Sequence, residues 1–350
     1  MYRRSKRKNG AAAILLLGLI TGVLTGFLLA PNGNTAQPGV KRERLWLVPE
    51  GYSAERAEDE EYEPAEFTLP SSGLTVSVRG EAKRMELEDY LFGVVAGEMS
   101  AGSEIEALKA QAVAARTFTA LHMAGGAMCK SGCTVCDDPC CCQAYLTKEE
   151  LKAAWGSKYD EYSARIRRAV NETESVAVVY EGRLISALYH AASGSATESS
   201  EEVFAMALPY LVSVESPEKG EETICVQRFS AAELEERINS AFPQARLSSP
   251  LAVDSLLVLS RTESGRVQRV KVGETEVSGC MLRSALGLRS TAFTLVQDGD
   301  GAVFTCTGYG HGVGMSQMGA NEMAKEGADF KRILAHYYTG TELVKLDFGQ

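Results

Sequence analysis

A chain of 350 residues in which 46 Asp and Glu outnumber 36 Lys and Arg carries a formal net charge of −10 at pH 7. That balance lacks the basic footprint a nucleic-acid partner demands, and the absence of a P-loop or dinucleotide fingerprint argues against an ATP-driven or redox-cofactor enzyme. The length suits one large domain or two smaller ones.

The N-terminus reads as a membrane end. Arg3, Arg4, Lys6, Arg7 and Lys8 precede an uncharged apolar run over residues 10–30, and about 20 such residues span the hydrocarbon layer of a bilayer. The basic flank predicts a cytoplasmic tail over 1–9, a single transmembrane anchor over 10–30 and everything beyond outside the cytoplasm. A cleaved signal peptide is the alternative, but the run is long for one and no clean small-x-small site follows. Residues 31–72, with an acidic run from Glu55 to Glu66, have the composition of an extracytoplasmic linker.

The outer part, 73–345, begins with alternation over Leu74–Val78 that predicts a strand. Helices are predicted over Glu86–Met99 and Ser103–Met123, followed by a cysteine-rich loop over Cys129–Cys142 and helices over Lys148–Trp155 and Tyr159–Thr173. Three hairpins follow: Val176–Tyr180 with Leu184–Tyr189, Leu256–Arg261 with Val267–Val272, and Phe293–Val296 with Ala302–Thr307. A last helix covers Phe330–Tyr338. Helices gathered early and hairpins late predict an α+β fold.

Within the first helix Leu87, Leu91, Val94 and Val95 form one apolar stripe, and the next position on it is Glu98. A carboxyl group facing a core is held toward its protonated form by desolvation, as a general acid requires; otherwise Glu98 is a helix-end residue bending back to water. In the second helix Ser103 and Glu106 have capping-box spacing, Lys109 suits a solvated face, and Arg116 lies between Ala112 and Ala120 at helical spacing. Arg116 therefore suits a partly buried position with an acidic or substrate partner.

Cys129, Cys133, Cys136, Cys140, Cys141 and Cys142 fall within fourteen residues. Such spacings suit tetrahedral thiolate coordination of zinc; a disulfide cluster is the other reading. Cys225, Cys280 and Cys306 are either buried small apolar residues or one disulfide plus a free thiol. His311 lies in a glycine-dense loop where backbone can approach a ligand closely, followed by Ser316 and Gln317, which suit hydrogen bonds to a polar ligand or to local backbone. A Ser–His nucleophile built on Ser193 or Ser316 lacks nucleophile-elbow context.

Three blocks carry a family resemblance. Leu87–Met99 with Glu106–Thr117, then Tyr189–Glu198, then Gly308–Ala320 resemble in order and spread the SpoIID family of sporulation proteins and LytB-type amidase enhancers, over roughly 74–343. Ser100, Ser195 and Tyr309 depart from the residues usual there (Pro, Gly and Trp). The resemblance implies a peptidoglycan lytic transglycosylase. Glu98 would be its single catalytic acid, cutting the bond between N-acetylmuramic acid and N-acetylglucosamine to leave 1,6-anhydro ends; the sequence leaves Asp89 open as a second acid. It implies substrate contacts from Arg116, His190, Ser193, Thr197, His311, Ser316 and Gln317. It also implies a structural zinc on Cys136, Cys141 and Cys142, with Cys141 where some members have His, and spacing does not choose between Cys129 and Cys133 as fourth ligand. The implied partners are glycan strands, stripped of stem peptides, with a cell-wall amidase and membrane proteins of the engulfment complex (SpoIIP- and SpoIIM-like) at the sporulation septum. A non-catalytic amidase activator or a glycan-binding scaffold is the competing expectation.

Overall fold

The computed structural model describes residues 64–69, 73–125, 129–252, 254–298 and 301–348. The expected cytoplasmic tail and the membrane anchor over 10–30 lie outside them, and no helix among the described residues is long and apolar enough to cross a membrane. The end of the expected linker is a strand: β1 (Pro64–Leu69) pairs in parallel with β15 (Glu342–Phe348) near the C-terminus.

The fold is α+β, with more than one hydrophobic core. The main body is built around α2 (Ile105–Met123), an alanine-rich helix buried along most of its length. Alanine favours the helix, and its small side chain lets neighbours approach closely, so this largely apolar helix becomes the centre of the body. Around it pack α1 (Leu87–Glu98), α4 (Tyr159–Asn171), α8 (Gln317–Lys325), α9 (Phe330–Tyr337) and β5 (Val176–Tyr180). β5 belongs to a four-stranded sheet in the order β1-β15-β5-β6, where β6 is Arg183–Leu184. The turn between β5 and β6 places Glu181 and Gly182 both at positive φ, 47° and 71°, the conformation a tight two-residue hairpin requires.

That hairpin is shorter than expected. Tyr189–His190 leave it as β7 and pair in parallel with β14 (Met315–Ser316), Tyr189 opposite Met315 and His190 opposite Ser316. Long-range pairing has overridden the local hairpin signal, and it brings two of the three sequence blocks side by side. Strand β2 (Leu74–Val78) pairs with β3 (Glu81–Met85) and with β4 (Val135–Cys136), which ties the cysteine-rich loop to the body.

Between the second and third blocks the chain forms a lobe with its own core, including Phe229, Leu234, Ile238, Val270, Leu282 and Phe304. Its two sheets, β9-β10-β11 (Leu256–Arg261, Val267–Val272, Thr275–Ser278) and β8-β13-β12 (Cys225–Ser230, Gly301–Cys306, Phe293–Asp298), enclose α6 (Ala231–Ala241) and α7 (Gly279–Leu286). The hairpins at 256–272 and 293–306 form as predicted, while α6 and α7 had no counterpart in the sequence reading.

The capping box expected at Ser103 does not form. α2 starts after Glu104 without a side-chain cap, and Glu106 instead accepts from Lys109 Nζ at 2.7 Å and from the backbone N–H of Phe330 at 3.0 Å. Capping boxes occur at Thr147–Glu150 and Ser230–Glu233.

Candidate active site

Glu98 ends α1, half-buried, where three segments converge on its carboxyl group. Oε1 accepts from the backbone N–H of Ala144 at 2.7 Å and lies 3.5 Å from the Tyr189 hydroxyl; Oε2 accepts from Gln317 Nε2 at 3.2 Å. Tyr189 has one proton, and its shorter contact is with Gln143 Oε1 at 2.8 Å, so mainly a lone pair faces Glu98. Gln143, almost fully buried, is fixed in turn by donating to Thr119 Oγ1 at 3.0 Å and Tyr90 Oη at 3.3 Å. Burial raises the Glu98 pKa above the ordinary carboxyl value, and the hydrogen bonds Glu98 accepts from Ala144 and Gln317 offset this only in part. The outcome is a carboxyl group biased toward holding a proton.

Two glycines explain how the 143–146 segment comes so close. A Cβ on Gly93 would lie 2.3 Å from the Tyr145 ring, and one on Gly97 would lie 3.3 Å from the Ala144 carbonyl. Spaced four apart, they open one face of α1 to a passing backbone, and the amide of Leu146 bonds to the Gly93 carbonyl at 3.2 Å.

Among the described residues no second acid is bonded to Glu98. Asp89 sits nine residues away on the same helix, about 13 Å by helical rise, and pairs with Arg167 at 2.9 Å near solvent.

Of the substrate contacts expected, Gln317 alone bonds to the acid. Arg116 is fully buried away from it: Nε and Nη2 bind Glu88 at 2.8 and 2.7 Å, and its remaining donors reach the Val176 and Val170 carbonyls at 3.2 and 3.3 Å. The acidic partner exists, and it places Arg116 in a buried pair apart from Glu98. Arg116→Met is expected to lower unfolding free energy by about 3 kcal/mol, the low end for breaking a buried pair, because Glu88 keeps some contact with water. Urea denaturation would measure the loss.

Ser316 and Thr197 are likewise engaged within the fold. Ser316 is buried, caps α8 by accepting from Gly319 N at 3.2 Å and donates to Glu218 Oε2 at 2.6 Å. Thr197, also buried, accepts from Val214 N at 2.9 Å. Ser193 is buried against His190, whose Nε2 lies 2.6 Å from the Ser193 hydroxyl and whose Nδ1 lies 3.1 Å from the Val313 carbonyl. His311 remains half-buried, its ring 5.6 Å from that of His190 and 5.8 Å from that of Phe204. Burial lowers both histidines, His190 well below its ordinary value and His311 to about 4, so both are neutral near pH 7.

Glu218 was not foreseen. Buried at 5% exposure, it accepts from the backbone of Ser193 and, at 2.6 Å each, from Gly194 N, Ser216 Oγ and Ser316 Oγ. It ties the second and third sequence blocks together below the site. From the lobe, buried Arg266 reaches the Ser193 carbonyl at 3.1 Å, and its guanidinium lies within 3 Å of where a Cβ on Gly312 would be.

The sulfurs of Cys129, Cys136, Cys141 and Cys142 lie within 4.8 Å of one another. A zinc–sulfur distance near 2.3 Å gives a tetrahedron with edges of about 3.8 Å, so this donor set fits a metal after a small contraction. The Cys142 thiol, by hydrogen bonding, draws Cys136 down to about 6, toward the thiolate that a metal ligand must be. Cys133 is buried outside the group and Cys140 is exposed, so of the two candidates for a fourth sulfur it is Cys129 that converges with the other three. Cys142 immediately precedes Gln143 and Ala144, so the cluster anchors the segment that holds Glu98.

A family model described as stage II sporulation protein matches residues 78–180, and one described as a domain of unknown function matches 226–314, nearly the span of the lobe. Stage II sporulation protein D of Bacillus amyloliquefaciens is 35% identical over 290 residues, 81% of this chain and 82% of the relative. The protein of that name from Bacillus subtilis is 36% identical over 287 residues, 80% and 82% of the two chains. The amidase enhancer of Bacillus subtilis is 28% identical over 302 residues, 72% of this chain but 40% of that longer protein. With its acid, its Gln317 loop and its cysteine cluster on one frame, and with relatives matched over four-fifths of its length, this chain belongs to the stage II sporulation protein D family.

Proposed function

We propose that this protein is a membrane-anchored lytic transglycosylase that cuts peptidoglycan glycan strands during sporulation, at the septal wall that is thinned for engulfment. The observation that carries the reading is Glu98: one desolvated, proton-holding carboxyl group, oriented by Ala144, Tyr189 and Gln317, with no acid among its partners in the described residues. Protonated Glu98 donates to the glycosidic oxygen as the bond to the muramic C1 breaks. The carboxylate then takes the proton of the muramic C6 hydroxyl as that oxygen closes on C1, which returns Glu98 to its starting form and releases a 1,6-anhydro end. An ordinary glycosidase needs a second carboxylate at a set separation, and Asp89 is poorly placed for it. A zinc ion on Cys129, Cys136, Cys141 and Cys142 would be closed by four thiolates and act as a staple, leaving the proton transfers to Glu98. Peptidoglycan strands stripped of stem peptides, a partner amidase and engulfment membrane proteins (SpoIIP- and SpoIIM-like) complete the reading, with the anchor over 10–30 placing the body outside the cytoplasm.

The amidase enhancer relative favours a second reading, in which the protein binds glycan without cutting it and activates an amidase. The products separate the two. Purified protein given denuded strands without amidase is expected to yield fragments with 1,6-anhydro-muramic ends by mass spectrometry. Reducing ends would indicate hydrolysis with another acid. Intact strands, together with faster cleavage by an added amidase, would favour the activator.

A further inference from the structure

The lobe joins the main body at two strand ends. The chain passes into it at Cys225, the first residue of β8, and out of it at Cys306, the last residue of β13. These strands are antiparallel neighbours, and the register sets Cys306 directly opposite Cys225. Residues opposite one another in an antiparallel pair project from the same face, with Cα atoms about 4.5–5.5 Å apart, inside the 4.4–6.8 Å range of disulfides. The face is consistent along both strands. Cys306 shares it with Phe304 and Ala302, all buried in the core of the lobe, while Cys225 shares it with Phe229 in the same core.

The neighbours of the pair fix it further. Two residues beyond each cysteine, toward the main body, the amide of Gly308 donates to the Thr223 hydroxyl at 2.9 Å. Tyr309 then exchanges backbone bonds with Ala192 at 2.7 and 3.0 Å. Both thiols are thus held side by side at the neck of the lobe, on strands whose register places them as partners. Cys280, the remaining cysteine of the lobe, lies on α7 rather than on either of these strands.

We infer that Cys225 and Cys306 form a disulfide that staples the neck of the lobe. Two S–H bonds break and one S–S bond forms. The two protons and two electrons pass to a disulfide-bearing oxidant, which leaves as two thiols. The bond closes the whole loop over residues 225–306, so it restricts the unfolded chain strongly. It also holds in place the lobe whose Arg266 supports the Ser193 carbonyl. This inference goes beyond the proposed activity, and its chemistry does not depend on it.

The full chain, purified in detergent with reductant and then equilibrated with oxidised glutathione, would be denatured, alkylated and digested without reduction. The expected result is one cross-linked peptide pair carrying Cys225 and Cys306, two hydrogens lighter than the two thiol peptides together, with Cys280 alkylated. Alkylation of both cysteines, a mixed disulfide of either with glutathione, or a bond from either to Cys280 would overturn the inference. As a second measurement, reductant should lower the melting temperature of the oxidised protein by about 5 °C or more. The same reductant should produce a smaller change in C225A/C306A, in which the cysteine cluster is intact. Equal shifts in the two proteins would also overturn it.

Discussion

Glu98→Gln is expected to reduce glycan cleavage by roughly 10² to 10⁴-fold, the scale of one general acid–base group, while glycan binding persists. The substitution keeps the shape and the oxygen that accepts from Ala144 N–H. Its new NH₂ faces Gln317 Nε2, and that contact is relieved if the Gln317 amide turns over at the expense of its 3.2 Å bond to Gln111. Stability should move the other way. Glu98 binds its proton more tightly in the native state than in the unfolded chain, so the native state loses stability as pH rises through the raised value. The variant has no such loss. Its melting temperature should equal or exceed the parent's at pH 8, with the advantage shrinking as pH falls toward the ordinary carboxyl value near 4.3. Cleavage by the parent should likewise decline as pH rises and Glu98 ionises. His190 and His311 are already neutral there, with His311 at about 4, so His311→Asn should keep the shape of that decline. Near-parental turnover in Glu98→Gln would remove the acid assignment. Loss of both stability and activity would make Glu98 structural.

What the sequence made legible was periodic or crowded. The stripe ending in Glu98 and the alanine run of α2 follow from helical spacing, and both are buried as that spacing demands. The cysteine crowding pointed to a cluster, but choosing Cys129 over Cys133 needed the fold of the loop. Other features depend on contacts far apart in sequence. Glu106 abandons Ser103 because a backbone donor arrives from Phe330. Ser316 and Thr197 look like sugar contacts until Glu218 and the Val214 amide are seen to engage them. Tyr189 and Gln143 gain their roles only when β7 lies beside β14 and the 143–146 segment crosses α1. The Gly93–Gly97 spacing was the readable sign of that crossing, since two glycines four apart on a helix leave a face for close backbone approach. Glu218, a single acid in an irregular stretch, left no such sign.

Purified without chelator, the protein is expected to carry about one zinc per chain, lost on replacing Cys129, Cys136, Cys141 or Cys142 by Ser and retained in Cys133→Ser and Cys140→Ser. The first four sulfurs converge and the other two do not. Structural zinc contributes directly to folding free energy, about 10–16 kcal/mol in zinc-finger peptides, and a fraction of that in a domain already holding a large core. A ligand variant should therefore melt well below the parent, and a strong chelator should bring the parent down to the variant's value. Activity should fall as well, for a positional reason. With Cys142 released, Gln143 and Ala144 lose their anchor, so the amide at 2.7 Å from Glu98 and the Gln143 bond that occupies the Tyr189 proton are both disturbed. That loss should track the metal and recover on adding zinc, whereas the loss in Glu98→Gln should not. Elemental analysis with a thiol titration checks the assignment: six alkylatable thiols between Cys129 and Cys142 after metal removal fit it, and full disulfide pairing of those residues would reverse it.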